Sequence, residues 1–332
     1  AAPLPEEGTV YDYMYVVDQK KWVPWMETVE PYQYNAKLSF AELIIPTKDS
    51  VRYKYLARML LQNNKHVLMS GPTGTGKTIN ASQMLSTELP KQYVPVTLTF
   101  SAQTSANQTQ DIIDSKLEKR SRGVYGPTAG TKYILFVDDF NMPQREVYFA
   151  QPPIELLRQW CDYQGWYDRK ERTFRRVIDT ILMACMGPPG GGRNPITPRM
   201  LRHFNIINYT EMDNDSMTVI FHTILRNFLN VFDDEIQPLC DGVVTSCVEV
   251  YNTIVRDLLP TPSKPHYTYN LRDLGKVFQG LLMADNRKLS DPSGFLRMVV
   301  HEQYRVFRDR LVDSDDRALF NSMCESELAE NP

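Results

Sequence analysis

The sequence has few cysteines, no long apolar run, no repeat and no large excess of either charge. Each shortage excludes a class. Its five cysteines (Cys161, Cys185, Cys240, Cys247, Cys324) are odd in number, scattered and without a CxxC pair, which excludes a disulfide scaffold and a zinc ribbon and predicts a reducing, cytoplasmic setting. The longest apolar runs, such as 134–137 and 181–186, fall far short of the roughly 20 residues that cross a bilayer, so no membrane partner is expected. A net charge of −3 and a pI near 6.0 remove bulk attraction to nucleic acid or anionic lipid. The run Lys119-Arg120-Ser-Arg122 is too short for a basic stripe and reads as a solvated charge cluster. His66, His203, His222, His266 and His301 show no metal-ligand spacing along the chain. The opening Ala-Ala-Pro-Leu-Pro-Glu-Glu is acidic, unlike a signal peptide, and lacks an initiating Met, as expected for a piece of a longer protein.

What remains is an ordinary soluble composition, 42% hydrophobic and 23% charged over 332 residues, a length that predicts more than one core. Residues 1–39 form a Tyr/Trp/Pro-rich lead without helical period, compatible with an irregular antiparallel hairpin. From 40 to 209, short β-rich runs alternate with helical patterns. Strands are predicted at 66–70, 94–100, 133–137, 177–186 and 205–209, with helices near 78–87, 108–117 and 153–163. That alternation predicts an α/β fold with a parallel sheet flanked by helices. From 210 to 332 the strands stop. Five helical segments are predicted, near 215–232, 236–259, 271–284, 292–311 and 315–328, with Asp213, Asn270 and Ser314 as N-cap candidates and the proline-dense 260–265 as a loop.

Gly71-Pro72-Thr73-Gly74-Thr75-Gly76-Lys77-Thr78 fits G-x-x-x-x-G-K-[ST] at every position, after an apolar strand and before a helix. Its glycines let the backbone wrap a pyrophosphate, Lys77 reaches terminal phosphates, and the Thr78 hydroxyl suits Mg²⁺. The second half of such a site is an acid at the tip of a neighbouring buried strand, supplied by Tyr133-Ile-Leu-Phe-Val-Asp138-Asp139. Asp138 is the Mg²⁺ candidate. Asp139 stands where a carboxylate polarises water, or is simply a solvated loop acid. No Asn-Lys-x-Asp guanine signature follows, so ATP or ADP is the expected ligand.

Together with Phe136-Val-Asp-Asp-Phe-Asn-Met-Pro143, Ala150-Gln-Pro-Pro-Ile-Glu-Leu-Leu-Arg-Gln-Trp160, the block Gly187 to Phe204 and Tyr269-Asn-Leu-Arg272-Asp-Leu, this chain resembles the AAA+ motor modules of dynein heavy chains. The blocks are most similar to the third module of axonemal dyneins, with the second as the alternative. The first usually has Ala where Thr73 stands. The resemblance implies an AAA+ α/β base, a helical lid, slow ATP hydrolysis that regulates ring conformation and ciliary motility, and adjacent AAA+ modules as partners. It also implies a place in the axoneme and microtubule contact only through the whole motor. A ring segment that holds nucleotide without turnover is the rival reading.

By the same resemblance Ile45 and Pro46 pass over adenine, and Arg272 is the lid arginine that contacts the phosphates of the same nucleotide. Arg202 is the finger that reaches a neighbour's site, with Arg199 as the alternative. A guanidinium suits that work because its charge is permanent and its fork binds phosphate bidentately. Two departures point to slow turnover. Asp139 is one methylene shorter than the Glu of many active sites, where alignment matters on the ångström scale. The polar residue expected after the strand ending at Cys185 is also missing, since Met186 and Gly187 stand there and the nearest amide is Asn194.

Overall fold

A computed structural model of the chain describes residues 3–35, 38–289 and 291–330. It separates into two compact units, residues 52–211 and residues 1–51 with 212–332. Residues 40–51, grouped with the base in the sequence, thus cluster with the helical residues.

The second unit opens on an antiparallel hairpin, β1 (Tyr13–Val16) and β2 (Lys21–Pro24). Tyr15 and Trp22 face each other across it with ring centroids 5.2 Å apart. Helix α1 (Lys48–Gln62) follows and runs on into the other unit. Thr47 and Ser50 exchange backbone and side-chain hydrogen bonds at its start, an N-terminal device that the sequence reading passed over.

Residues 52–211 are built on five parallel strands: β3 (Val67–Ser70), β4 (Tyr93–Thr99), β7 (Lys132–Asp138), β10 (Thr180–Met186) and β11 (Asn205–Asn208), in spatial order β11-β3-β10-β7-β4. The central strands are buried on both faces, as parallel sheets require. Leu68, Leu135, Val137, Leu182 and Ala184 point to one core with Phe140, Leu157 and Trp160. Val67, Met69, Ile134, Phe136, Ile181 and Met183 point to the other with Ala57, Leu61 and Met84. Helices α2 (Lys77–Gln83), α3 (Ala106–Asp114), α4 (Pro152–Tyr163) and the short α5 (Pro198–Leu201) connect the strands.

A second sheet was not expected. β5 (Glu118–Ser121), β6 (Val124–Gly126), β9 (Phe174–Val177) and β8 (Gly165–Tyr167) form it in that order. The run read as one strand over 177–186 is therefore two, because Asp179 turns into the left-handed region at φ 51° and breaks the extended backbone between β9 and β10. The supposedly solvated charge run lies on β5 and its end, and Arg120 pairs with Asp179 at 3.2 Å.

The all-helical part holds α6 (Asn214–Leu229), α7 (Leu239–Asp257), α8 (Leu271–Leu281), α9 (Pro292–Val306) and α10 (Ser314–Glu330). Asp213 and Asn270 do cap α6 and α8, accepting from the backbone N–H of Ser216 and Arg272. Ser314 instead is the first residue of α10. Phe221 and Phe278 stack at 4.2 Å inside this core. The proline-dense loop is tied to α10 by Lys264, whose ammonium lies 2.6 Å from Asp316. No helix among the described residues is long and apolar enough to cross a membrane.

His66 stands one residue before β3, and its Nδ1 accepts the Leu182 N–H at 2.9 Å, a ladder bond made by a side chain. Burial, with a smaller contribution from His203, pushes its pKa down to about 4. The unfolded chain therefore binds the extra proton first, and stability is lost as pH falls from about 6.5 toward 4. At pH 5 the loss from this group should be roughly 2 kcal/mol. Urea unfolding of His66→Gln, which keeps an acceptor without the titration, should show a correspondingly shallower pH dependence than the parent chain.

Candidate functional site

The parallel registers Met186 with Ser70 and Ala184 with Val137 bring the carboxyl ends of β3, β10 and β7 to one edge of the sheet. All residues of the glycine loop and both aspartates project from that edge. Gly71 leaves β3 so close to the last base strand that a Cβ would stand 2.3 Å from the Tyr209 carbonyl oxygen. Gly74 and Gly76 take φ of 87° and 80°, conformations that favour glycine. Gly76 sits at the N-cap of α2 and has no side chain to satisfy the helix's first N–H groups.

Lys77 is 8% exposed. Its ammonium donates to the carbonyls of Gly71, at 2.8 Å, and Pro72, and to the Thr75 hydroxyl at 3.3 Å. The loop is thus wrapped around its own cation. Burial is the main reason that the Lys77 pKa lies below the ordinary lysine value, and the charge of Arg193 adds to it. The Thr78 hydroxyl donates to Asp138 Oδ1 at 3.0 Å, and the Asp139 N–H donates to the same oxygen at 3.0 Å. Burial raises the Asp138 pKa, and those two hydrogen bonds oppose the rise. The hydroxyl and carboxylate are hard oxygen donors of the kind that Mg²⁺ takes, and the glycine cradle leaves backbone where side chains would obstruct a phosphate. The residues fit a Mg²⁺-nucleotide.

Asp139 is a left-handed non-glycine residue, φ 51°. Its Oδ1 lies 3.9 Å from an Arg193 Nη2, a cation that sequence reasoning missed. The available signal was an arginine directly after a glycine run at the carboxyl end of a central strand. Asn194, the amide weighed for water positioning, is already engaged: its Nδ2 donates to the Pro143 carbonyl at 2.9 Å. Asn141 donates to the Gly187 carbonyl at 2.8 Å, and its Oδ1 is buried without a partner.

The remaining predicted residues lie elsewhere on the chain. Arg202 forms an ion pair with Asp162 and contacts His203, whereas Arg199 is exposed on α5. Of the two finger candidates it is thus Arg202 that is held in an intramolecular ion pair. Ile45 and Pro46 belong to the other unit, where Ile45 is buried with Leu43 and Ile224. Arg272 is exposed on the first turn of α8 in that unit.

Packing also assembles a grouping that linear spacing did not suggest. His222, Cys240 and Asp241 place ligand atoms within 4.8 Å of one another. His222 Nε2 and Asp241 Oδ1 are 2.7 Å apart. Burial, with the Asp241 carboxylate adding to it, pushes the Cys240 thiol up to about 11, and the charge of Arg226 opposes the rise. The contact of His222 with Asp241 ties α6 to α7.

A five-stranded parallel sheet with this loop, followed by a helical bundle, defines a P-loop AAA+ base with its lid. Residues 32–212 match the family described as P-loop containing dynein motor region, and residues 220–317 match the dynein heavy chain ATPase lid domain. The chain is 47% identical over 98% of its length to dynein axonemal heavy chain 1 of Mus musculus and 48% over 96% to that of Homo sapiens, covering 8% of each protein. It is 44% identical over 95% of its length to dynein axonemal heavy chain 12 of Homo sapiens, covering 10% of that protein. The chain belongs to the dynein heavy-chain family, and spans about a tenth or less of those relatives' length.

The approach of Gly71 to Tyr209 gives a direct test of the loop. Gly71→Ala should lower the unfolding free energy by about 1–3 kcal/mol, as overpacking against an immovable backbone does, and this is measurable by urea denaturation.

Proposed function

We propose that this chain is the third AAA+ module of an axonemal dynein heavy chain, binding ATP or ADP with Mg²⁺ and hydrolysing ATP slowly to regulate the ring. The observation that carries the reading is the Thr78 to Asp138 hydrogen bond at the mouth of the glycine loop. Thr78 and Asp138 would hold Mg²⁺, while Gly71, Pro72, Thr73, Gly74, Thr75, Gly76 and Lys77 would bind the phosphates. A bound Mg²⁺ supplies charge neutralisation across the terminal phosphates. Asp139 would orient water, Ile45 and Pro46 would contact adenine, and Arg272 would act from the lid.

Arg202 would serve a neighbouring module. Its ion pair with Asp162 leaves the Arg202 side chain 60% exposed, and such a pair is weak enough not to lock the side chain away. Arg199 remains the alternative. The partners on this reading are the adjacent modules of the same heavy chain, within a cytoplasmic axoneme of a cilium or flagellum. Microtubules are met only through the whole motor, and nucleic acid and membrane have no part.

A second reading, a segment that retains nucleotide without turnover, is favoured by the engagement of Asn194 with Pro143, which removes an amide from water positioning. Both readings need binding. Calorimetric titration should show Lys77→Ala losing Mg²⁺-ATP and Mg²⁺-ADP affinity by roughly 10- to 150-fold for each charge-assisted contact removed, with the fold retained. Wild-type affinity in that variant would overturn the assignment.

Turnover separates the two readings from a self-sufficient ATPase. The isolated chain should hydrolyse ATP very slowly, and Asp139→Asn should change that rate little, because the finger of a neighbour is also required. Rapid steady-state hydrolysis by a verified monomer would reject this.

A further inference from the structure

We infer that Arg193 is the residue by which this site distinguishes a nucleoside triphosphate from a diphosphate, exchanging its contact with Asp139 for the terminal phosphate. The inference rests on the reading that the glycine loop binds nucleotide.

Four observations carry it. Arg193 follows β10 on the loop beside the carboxyl end of β7, and so reaches Asp139. The 3.9 Å separation is longer than the roughly 2.7–2.9 Å of a charge-assisted hydrogen bond, and Asp139 is 45% exposed, so the pair is weak and easily exchanged. The Arg193 Nε is buried and has no hydrogen-bond partner, which leaves donor capacity unspent on a group that cannot lose its charge. Finally, the positive charge of Arg193 acts on the neighbouring Lys77 ammonium. Two like charges held near one loop repel, and an anion with several negative oxygens relieves that repulsion better than the single carboxylate of Asp139.

The local backbone is arranged to hold the base of this side chain while leaving its tip free. Asn194 anchors one flank through its N–H to the Asn141 carbonyl and its amide to the Pro143 carbonyl. On the other flank Gly190, Gly191 and Gly192 all have positive φ, and nothing lies within 4 Å of where their Cβ atoms would be. Gly190 and Arg193 close the turn with reciprocal backbone hydrogen bonds of 3.0 Å. The side chain then crosses Gly187, where a Cβ would stand 2.9 Å from both Cδ and Nε of Arg193. Gly187 is therefore the floor on which the guanidinium rests. A methyl group there displaces a flexible side chain rather than backbone, and so moves the charge without deleting it.

Loss of the terminal phosphate on going from ATP to ADP removes the competing anion, and Arg193 returns to Asp139. In the triphosphate complex Asp139 is released from its cation. Arg193 thus couples the identity of the bound nucleotide to the freedom of the carboxylate expected to orient water. A planar fork suits this exchange better than an ammonium, because two of its donors can bridge two oxygens.

The test compares Mg²⁺-ATPγS with Mg²⁺-ADP binding by calorimetry in the parent chain, Arg193→Ala, Arg193→Lys and Gly187→Ala, with Lys77→Ala as the control for the loop. Arg193→Ala should lower ATPγS affinity about 10- to 100-fold while changing ADP affinity less than threefold. Arg193→Lys should fall between it and the parent. Gly187→Ala, with the charge retained, should reduce the ATPγS preference in the same direction. An unchanged ratio of the two affinities in folded Arg193→Ala and Gly187→Ala chains would overturn the inference, as would an equal loss for both nucleotides. If the parent chain binds neither nucleotide, or Lys77→Ala binds both normally, it is the reading of the loop that fails.

Discussion

The hydrogen bond between Thr78 and Asp138 depends on sheet register before it depends on either side chain. Thr78 enters from the loop after β3, and Asp138 ends β7, yet the two strands are not neighbours. β10 lies between them and pairs with both in parallel. A shift of one residue in either pairing would turn Asp138 to the opposite face of the sheet, because side chains alternate along a strand. The alternation of Val67 and Met69 against Leu68, matched by Ile134 and Phe136 against Leu135, prevents that shift by burying both sets in different cores. Apolar packing thus determines where the Thr78 and Asp138 oxygens meet.

Two cations and two carboxylates converge at this edge, and their balance is local. Lys77 is buried on its own loop carbonyls, Asp138 is stabilised by two donors, and Asp139 and Arg193 face each other loosely. Charges removed from water are costly unless hydrogen-bonded. The backbone carbonyls around Lys77 and the hydroxyl of Thr78 meet that cost with neutral groups, so the site keeps its form without requiring tight ion pairs. This leaves the weakest contact, between Asp139 and Arg193, as the part of the site that yields first.

The sequence made legible whatever depends on contiguous residues. The glycine loop, the buried run ending in Asp138 and the caps Asp213 and Asn270 each carry their reason within a few positions. What stayed hidden depends on residues far apart. The strands of the second sheet are short, two of them, Glu118–Ser121 and Phe174–Val177, are rich in charge, and they become one sheet only because β6 and β9 pair across a separation of about fifty residues. Nothing in Arg193 alone distinguishes it from any loop arginine. Its position becomes informative only when β10 places it beside β7. Arg202 illustrates the reverse, since its motif suggested a free finger and the fold supplies Asp162 as a partner.

The identity of residue 139 follows from backbone conformation as well as chemistry. The chain turns sharply after β7, closing with the Met142 N–H on the Asp139 carbonyl at 3.0 Å, and the turn puts Asp139 in the left-handed region. Aspartate is among the residues that tolerate that conformation best, because its short polar side chain can bond locally. A glutamate there would gain one methylene of reach and lose part of that tolerance. On the proposed reading, the same turn that carries the carboxylate into the site also keeps it short. On that reading slow turnover would follow from how the strand ends, and the arginine opposite would be the means by which a short carboxylate is held or released.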